Sequence, residues 1–480
     1  MEECLIQEKR KQNLIIAVIS ASVFMFSVDY SMLNISLPAI TGYFNATIGS
    51  VSRLPLAYLL VVTSTVLLFG KLGDVLGLKK IFTLGLVIFI AGTSLCAFAP
   101  TLNTLFILRI FQCFGEAMFS PIGIAIITTC LPSSIRGRAL GIMATAQGLG
   151  FSLGPVLGGY INSHTGWHGI FFVNIPIGVC VAIAAFKVLP SKQESPSRER
   201  IDYLGAVLIF ISLAPLIYAL NSVSKLGLNN PVIISCLATF AAALILFVMR
   251  EKRTPDPILD IALFKNLDFA FAVLSAFCAI FVYMGLLFLF PFYLNMVMGL
   301  DALHSGLFLM SPALMIMIFA PLAGIISDRI GARTICSIGM ALTGLAFFMF
   351  SLFTPKSSPL FILPSLIVAG MAIGCFLPAN NKLVMAHAPA DKQGMGSAVY
   401  KIVMSMGGVF GIAVMPLVLM KAIYAKTAAL HMNIQNVKHS PEVLVAGFDA
   451  AFRFGVFICI LGLIFALLAK DKKEKGSVAF

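Results

Sequence analysis

The sequence predicts an all-α polytopic membrane protein. Of its 480 residues, 59% are hydrophobic and 11% are charged, and a soluble domain carries roughly twice that charged fraction. Continuous apolar runs of about 17–26 residues alternate with short polar links, and each run is long enough to cross a bilayer as a helix. Because the runs are continuous and not alternating, they exclude a transmembrane β-barrel.

We identify fourteen such runs in the sequence. They lie near residues 14–37, 54–72, 81–99, 105–130, 139–161, 170–189, 203–220, 232–249, 269–294, 306–326, 334–353, 360–385, 398–419 and 450–469. With the N-terminus inside, the cytoplasmic segments hold 23 of the 33 Lys and Arg residues, so the positive-inside rule places both termini in the cytoplasm. The net charge of +13 therefore follows membrane topology and does not indicate nucleic acid.

A loop motif occurs twice. GKLGDVLGLKK spans Gly70–Lys80, and GIISDRIGART spans Gly324–Thr334. The matched pairs are Gly70 with Gly324, Asp74 with Asp328, and Gly77 with Gly331. Two copies in register, each after an even-numbered span, predict two parallel repeats, spans 1–6 and 9–14. We expect an N-terminal six-helix bundle (1–190), two inserted helices with cytoplasmic linkers (191–268), and a C-terminal six-helix bundle (269–480).

Two charged residues lie at one depth in the predicted bundle. Asp29 is 15 residues into span 1, which runs outward, and Arg109 is about a turn from the outer end of span 4, which runs inward. A charge inside a membrane span is costly, and it usually faces a partner or a water-filled cavity. We therefore expect an ion pair that takes part in proton coupling; a static pair that only fixes packing is the alternative.

Glu116 is seven residues from Arg109, so the two side chains share one face of span 4. Gln112 lies close to that stripe. Burial favours the protonated form of a carboxyl group, and a nearby cation favours the charged form. A carboxyl group under both influences can load a proton and release it. A neutral Glu116 that is hydrogen-bonded to a neighbouring helix is the alternative.

Three further features bear on the spans and loops. Span 5 carries small residues from Gly148 to Gly159, which let helix backbones approach closely. Residues 420–449 are expected to form a long external loop, and Lys382 to extend along its helix to the membrane interface. The ten cysteines form no C-x-x-C and no Cys/His cluster, so we expect no metal site and no disulfide framework.

Together these positions resemble the major facilitator superfamily, and within it the fourteen-span drug:proton antiporters of the EmrB/QacA type. The matching residues of spans 1, 4 and 6 are Asp29, Asn34, Leu37, Pro38, Arg109, Gln112, Gly115, Pro121, Phe171, Asn174, Pro176 and Gly178. The loop motif and its second copy contribute Gly70, Leu72, Gly73, Asp74, Gly77, Lys79, Asp328, Arg329 and Gly331. The antiporter motif of span 5 is Gly150, Gly154, Pro155, Gly158 and Gly159. Glu116 departs from the family pattern, which usually has a small apolar residue there.

The resemblance implies the major facilitator fold and gating by the loop motif. We expect proton coupling at Asp29, Arg109 and Glu116, and a substrate cavity that includes Asn34, Gln112, Glu116 and Asn174. We expect a membrane-embedded exporter of amphiphilic, mainly cationic compounds that uses the proton gradient and no bound cofactor, and that is not an enzyme. A periplasmic adaptor stays an open possibility. An exporter of a specific metabolite, lipid or siderophore is the first alternative, and a non-transporting membrane sensor is the second.

Overall fold

The computed structural model describes residues 8–190, 229–251, 261–355, 357–389, 393–430 and 440–471, with isolated positions between 208 and 219. Within these residues the chain is helical and contains no strand. We label its long helices in chain order. They are α1 (Lys9–Tyr43), α2 (Arg53–Leu76), α3 (Leu78–Cys96), α4 (Leu102–Cys130), α5 (Ser133–Thr165), α6 (Gly169–Val188), α7 (Pro231–Glu251), α8 (Leu267–Phe292), α9 (Ala302–Ile330), α10 (Ala332–Ser351), α11 (Pro359–His387), α12 (Gln393–Ala429) and α13 (Pro441–Leu468).

The predicted spans coincide with these helices wherever the structure describes the chain. Among the described residues, eleven helices are long and apolar enough to cross a membrane, and α2 and α7 contain shorter apolar stretches. The predicted span 203–220 lies mostly outside the described part. Helices satisfy their own backbone hydrogen bonds, so such apolar segments can lie in lipid.

One predicted loop is wrong. We expected residues 420–449 to form a long external loop, but α12 continues to Ala429 and α13 begins at Pro441. The polar residues of this region extend the two helices, since Pro441 fits the first turn of α13 and Ser440 stands at its N-cap position. His431 and His439 of the predicted loop lie outside the described residues.

The helices form two compact units. Unit 1 comprises Met1–Ile245 with Gly299–Met310, and unit 2 comprises Leu246–Met298 with Ser311–Phe480. In unit 1, α1 packs along α5 and α3 packs along α4; in unit 2, α8 packs along α12 and α10 along α11. The same pairing in each unit agrees with the repeat that the loop motif predicts. A separate domain at 191–268 stays a prediction, because much of that segment is not described.

Candidate functional site

Asp29 lies at the centre of a buried polar network in unit 1. Its side chain is on α1 and only 4% of the residue is exposed. Oδ2 accepts from Arg109 Nη1 at 2.6 Å, and Oδ1 accepts from Gln112 Nε2 at 3.1 Å and Asn174 Nδ2 at 3.2 Å. The ion pair that the helix depths predicted is therefore present, and two amides from α4 and α6 support its carboxylate.

Close packing of α3 against α4 places the other half of this network. A Cβ atom on Gly92 would lie 2.6 Å from Gln112 Cα, so only glycine allows this approach. The approach brings Gln112 Nε2 to 2.7 Å from Thr93 Oγ1, while Gln112 Oε1 accepts from Arg109 Nη1 at 2.6 Å. Gln112 is completely buried and holds the guanidinium of Arg109 against Asp29. Arg109 Nε, in contrast, has no hydrogen-bond acceptor among the described residues.

Glu116 forms a second buried group on α4, seven residues or about two helical turns from Arg109. Its carboxylate oxygen Oε1 accepts a hydrogen bond from the hydroxyl of Tyr58 on α2 at 3.2 Å. The Tyr58 ring packs against Tyr30, with ring centroids 4.9 Å apart, and stacks on Phe26 at 6.3 Å. Phe151 of α5 meets Phe26 and Tyr30 edge-on. Glu116 is thus 2% exposed and lies beside an aromatic wall.

A small cavity joins the two groups. Asp29, Arg109 and Glu116 all line it, together with Cys113 and Tyr58. Its volume is about 10 Å³, which is close to the room that one water molecule needs. The cavity can therefore hold water between the two carboxyl groups in this conformation, but it is too small for a drug-sized molecule.

The structure brings together most of the residues predicted for the site. Gln112 and Asn174, expected in a substrate cavity, are both bonded to Asp29, and Asn34 is buried further along α1. Their role towards a substrate stays a prediction. The sequence analysis did not identify Tyr58 and Thr93, because a single hydroxyl group on an apolar helix forms no recognisable motif. Their position within predicted membrane spans was the only feature that could have indicated them.

The predicted antiporter motif packs α5 against two neighbours. Gly150, Gly154 and Gly158 face α1, where added Cβ atoms would lie 2.5 to 2.8 Å from atoms of that helix. Gly159 and Pro155 instead approach the segment 299–310: a Cβ on Gly159 would lie 2.3 Å from Ala302 O, and one on Gly306 would lie 2.2 Å from Pro155 O. The tight packing that the spacing predicts is present, with Pro155 inside the helix.

The two copies of the loop motif share one backbone conformation. Gly77 and Gly331 have φ values of 95° and 94°, in the region that favours glycine. Each separates two helices that follow one another directly, α2 from α3 and α9 from α10. Upstream in the motif, Gly70 has open space around its Cα, and Gly73 lies close to the side chain of Ile122.

Beside these glycines, Asp328 of the second copy pairs with Lys382, whose Nζ lies 2.5 Å from Oδ1. Both residues are exposed, and the extension of Lys382 to the membrane interface stays a prediction. The carboxylate at the start of α10 belongs to Asp471, which accepts from Arg333 N at 3.0 Å. The side chain of Asp74 lies outside the described part, so its contacts stay a prediction.

The remaining basic residues of the motif take different positions. Lys79 Nζ lies over the ring of Phe186 on α6, 5.3 Å from its centroid, and Arg329 is exposed in the last turn of α9. Among the described residues, no group of three or more His, Cys, Asp or Glu side chains is placed to hold a metal ion.

A model of the Major Facilitator Superfamily matches residues 19–412, which is most of the chain. The chain belongs to the Major Facilitator Superfamily. It is therefore a transporter, and the helices described above are those of a membrane protein. The buried network of Asp29, Arg109 and Gln112 lies within the matched region.

The names of relatives in this superfamily refer to different substrates. The riboflavin transporter RibZ of Clostridioides difficile is 29% identical over 97% of this chain and 99% of its own length. The multidrug efflux pump LfrA of Mycolicibacterium smegmatis is 28% identical over 83% of this chain and 79% of its own. The tetracenomycin C resistance and export protein of Streptomyces glaucescens is 24% identical over 83% and 74%.

Solved structures agree on the fold. A bacterial homologue of the human lysosomal transporter Spinster, in an inward-facing and unoccupied conformation, superposes with a TM-score of 0.71 at 15% identity, and the match covers 96% of this chain and 97% of that one. A peptide transporter in complex with sulfate gives a TM-score of 0.69 at 15% identity over 95% and 94%. This superfamily member thus has the expected major facilitator fold.

Proposed function

We propose that this chain is a proton-coupled antiporter that exports amphiphilic, mainly cationic compounds across the cytoplasmic membrane by alternating access. The observation that carries the proposal is the composition of the buried site in unit 1, which contains two carboxyl groups and one guanidinium. The drug exporters among its relatives support the direction and the substrate class. The finer assignment to the fourteen-span antiporters, with both termini in the cytoplasm, belongs to this proposal.

The charge count explains how exchange would work. Asp29 pairs with Arg109, and Glu116 accepts from Tyr58 and lies in the same enclosed site. A second carboxylate there carries a negative charge that low-dielectric surroundings disfavour. Either a bound proton or a cationic substrate can offset that charge, so the site does not need both at the same time. Competition for one charge couples the exit of a cation to the entry of a proton.

The aromatic wall fits the same substrate class. Rings of Phe26, Tyr30 and Tyr58 line the cavity with Glu116, and Phe151 packs against the first two of these rings. Aromatic faces attract organic cations, and a carboxylate offsets the hydration that a cation loses in a dry site. When the cavity opens during transport, these groups would meet an amphiphilic cation with both its charge and its apolar surface.

The other motifs have supporting roles in this proposal. The glycines of α5 would keep the path closed to leakage, and the two loop motifs would form and break contacts as the units move. No bound cofactor is needed, because the proton gradient drives export. Protons, amphiphilic solutes and membrane lipid are the proposed partners, and a periplasmic adaptor would be an additional one.

Uptake of a cationic dye into everted vesicles, in which export is directed into the lumen, tests the proposal. With the gradient intact, the wild-type protein should move ethidium uphill, and an uncoupler should abolish the movement. Asp29→Asn should remove uphill transport although the protein still reaches the membrane. The Glu116→Gln variant should no longer transport cationic dyes but should still transport neutral substrates. Glu442→Gln, the same change at an exposed position of α13, is the matched control. Uncoupler-insensitive efflux would overturn proton coupling.

A specific-metabolite transporter is the second candidate. The RibZ relative matches nearly the whole chain, and the rings of Phe26, Tyr30 and Tyr58 that line the cavity with Glu116 are also suited to stacking on a planar ring system. Purified protein would then quench riboflavin fluorescence and discriminate against ethidium. Saturable riboflavin binding without cation-dependent proton exchange would favour this candidate over the antiporter.

A further inference from the structure

The cavity between the two carboxyl groups has the features of a water site. Arg109 is 2% exposed, lines the cavity, and has an Nε–H without an acceptor among the described residues. A buried charged donor left unsatisfied is costly, and buried groups of this kind are usually satisfied by protein or water. The cavity volume of about 10 Å³ matches one water molecule and nothing larger.

The hydrogen-bond count of Asp29 points to the same place. A carboxylate has about four acceptor positions. Asp29 uses three of them, for Arg109, Gln112 and Asn174. One position is left for a further donor. A water that accepts from Arg109 Nε has two hydrogens to donate, one of which can satisfy Asp29.

Glu116 lines the same cavity but is held from the other side. Its Oε1 accepts from Tyr58, on a helix that contributes nothing to the hydrogen bonds of Asp29 described above. The remaining wall beside Glu116 includes Cys113, which follows Gln112 directly in α4 and is 2% exposed. A water in the cavity therefore has a second carboxyl group within its walls, besides Asp29.

We propose that one internal water binds at Arg109 Nε and relays a proton between Glu116 and Asp29. The inference rests on the proposed proton coupling. In the relay, the acid form of Glu116 gives its proton to the water, and the water gives one of its own protons to the Asp29 carboxylate. The water is regenerated, one O–H bond breaks and one forms at each step, and the negative charge moves from Asp29 to Glu116. Arg109 is a positioning residue for the water.

This relay allows the two carboxyl groups to exchange one proton. Arrival of a cation beside Glu116 would move the shared proton to Asp29, weaken its pair with Arg109, and let the proton leave from Asp29 to solvent. The relay thereby links a substrate at the aromatic wall to the ion pair, without direct contact between substrate and Asp29.

Filling the cavity is the sharpest test. Cys113→Val adds about the volume of a methyl group at the cavity wall and leaves every residue of the hydrogen-bond network unchanged. Cys130→Val is the matched control, since Cys130 is buried in an apolar cluster on the same helix. In proteoliposomes with a fixed pH gradient, Cys113→Val should lower uphill ethidium efflux by at least tenfold and leave ethidium binding at pH 9 within twofold. Cys130→Val should match the wild type in both.

Infrared difference spectroscopy of the wild-type protein gives a test that needs no cavity variant. Spectra between pH 5 and pH 9 in ordinary water and in water labelled with ¹⁸O should show an isotope-sensitive O–H band of one internal water, and Glu116→Gln should remove it. A wild-type protein with proton-driven efflux but no such band, or with Cys113→Val as active as Cys130→Val, overturns the relay while the antiporter proposal stands. A wild type without proton-driven efflux overturns the antiporter proposal instead.

Discussion

The two units share a pattern of helix pairing but bury different kinds of side chain. Unit 1 buries Asp29, Arg109 and Glu116. In unit 2, the buried side chains among the described residues carry no formal charge, and aromatic rings pack together where the C-terminal ends of α8 and α10 meet the N-terminal half of α13. The rings of Phe290, Phe350 and Phe452 contact one another at centroid distances of 5.3 to 6.4 Å.

The packing of equivalent helices makes the comparison residue by residue. Gly85 of α3 approaches Phe119 N of α4, and Gly339 of α10 approaches Phe376 N of α11. Counting back from these phenylalanines, the positions of Arg109, Gln112 and Glu116 in α4 correspond to those of three apolar residues in α11. These residues are Leu366, Ala369 and Ile373, all buried. One scaffold thus supports a charged site in one unit and an apolar core in the other.

The difference indicates where function resides. An aromatic and aliphatic core stabilises a helix bundle through packing alone. Buried charges cost free energy, and a bundle built on the same pairing does without them. The charges of unit 1 are therefore not needed to hold this arrangement of helices, which is consistent with a role in transport. The following predictions test this comparison, beginning with the largest expected effect.

Replacing Arg109 of unit 1 by leucine, the residue at the corresponding position of unit 2, should have the largest effect. Arg109→Leu leaves the carboxylate of Asp29 buried without its cation, and breaking a buried pair from one side costs roughly 3–5 kcal/mol. The variant should unfold at a much lower temperature in detergent. Asp29→Val combined with Arg109→Leu should recover most of the stability and show no proton-driven efflux. If Arg109→Leu unfolds at the wild-type temperature, the pair is not the buried unit described here.

The glycine contacts of the two units should differ more modestly. A Cβ on Gly411 of α12 would lie 2.0 Å from the backbone oxygen of Phe281, whereas one on Gly154 of α5 would lie 2.5 Å from the side chain of Ser31. Overpacking costs typically 1–3 kcal/mol, and a backbone atom cannot rotate away. Gly411→Ala should therefore lower the thermal midpoint more than Gly154→Ala.

Gly324→Ala is the control for both, because nothing lies within 4 Å of its added Cβ. If Gly154→Ala and Gly411→Ala lower the thermal midpoint equally, a backbone neighbour accommodates the added methyl group as readily as a side-chain neighbour does. That result would contradict the comparison.

The smallest effect is expected at the N-terminal end of α10. Asp471 accepts from Arg333 N there, while Gly77, the N-cap residue of the corresponding α3, provides no side-chain cap. Loss of a capping side chain costs about 1 kcal/mol. Asp471→Ala should speed amide hydrogen exchange in the first turn of α10 only. Faster exchange in α3 as well would mean that the substitution loosens more than this cap.

Much of this architecture could be predicted from the sequence. Apolar runs locate the helices because a membrane span must be long and continuous. The duplicated glycine of the loop motif marked Gly77 and Gly331, since few other residues adopt their backbone conformation. The depths of Asp29 and Arg109 predicted their contact because charges in a membrane seek a partner.

Other contacts leave no trace in local sequence. Tyr58 meets Glu116 across 58 positions, and Asp471 meets Arg333 across 138. Such pairs depend on how helices are arranged, which hydropathy does not encode. The pair of Lys382 with Asp328 is a further example, because its acidic partner lies on another helix.

The central claim is that a cationic substrate and a proton compete for one negative charge at Glu116. Proton release on cation binding measures this most directly. Tetraphenylphosphonium is added to weakly buffered, detergent-purified protein near pH 7, and the pH change is compared with binding measured by calorimetry. The wild type should release about one proton for each cation bound, as expected of two coupled carboxyl groups. Glu116→Gln should bind weakly and release far less, while Glu442→Gln should match the wild type. Equal proton release by Glu116→Gln and wild type would contradict the account.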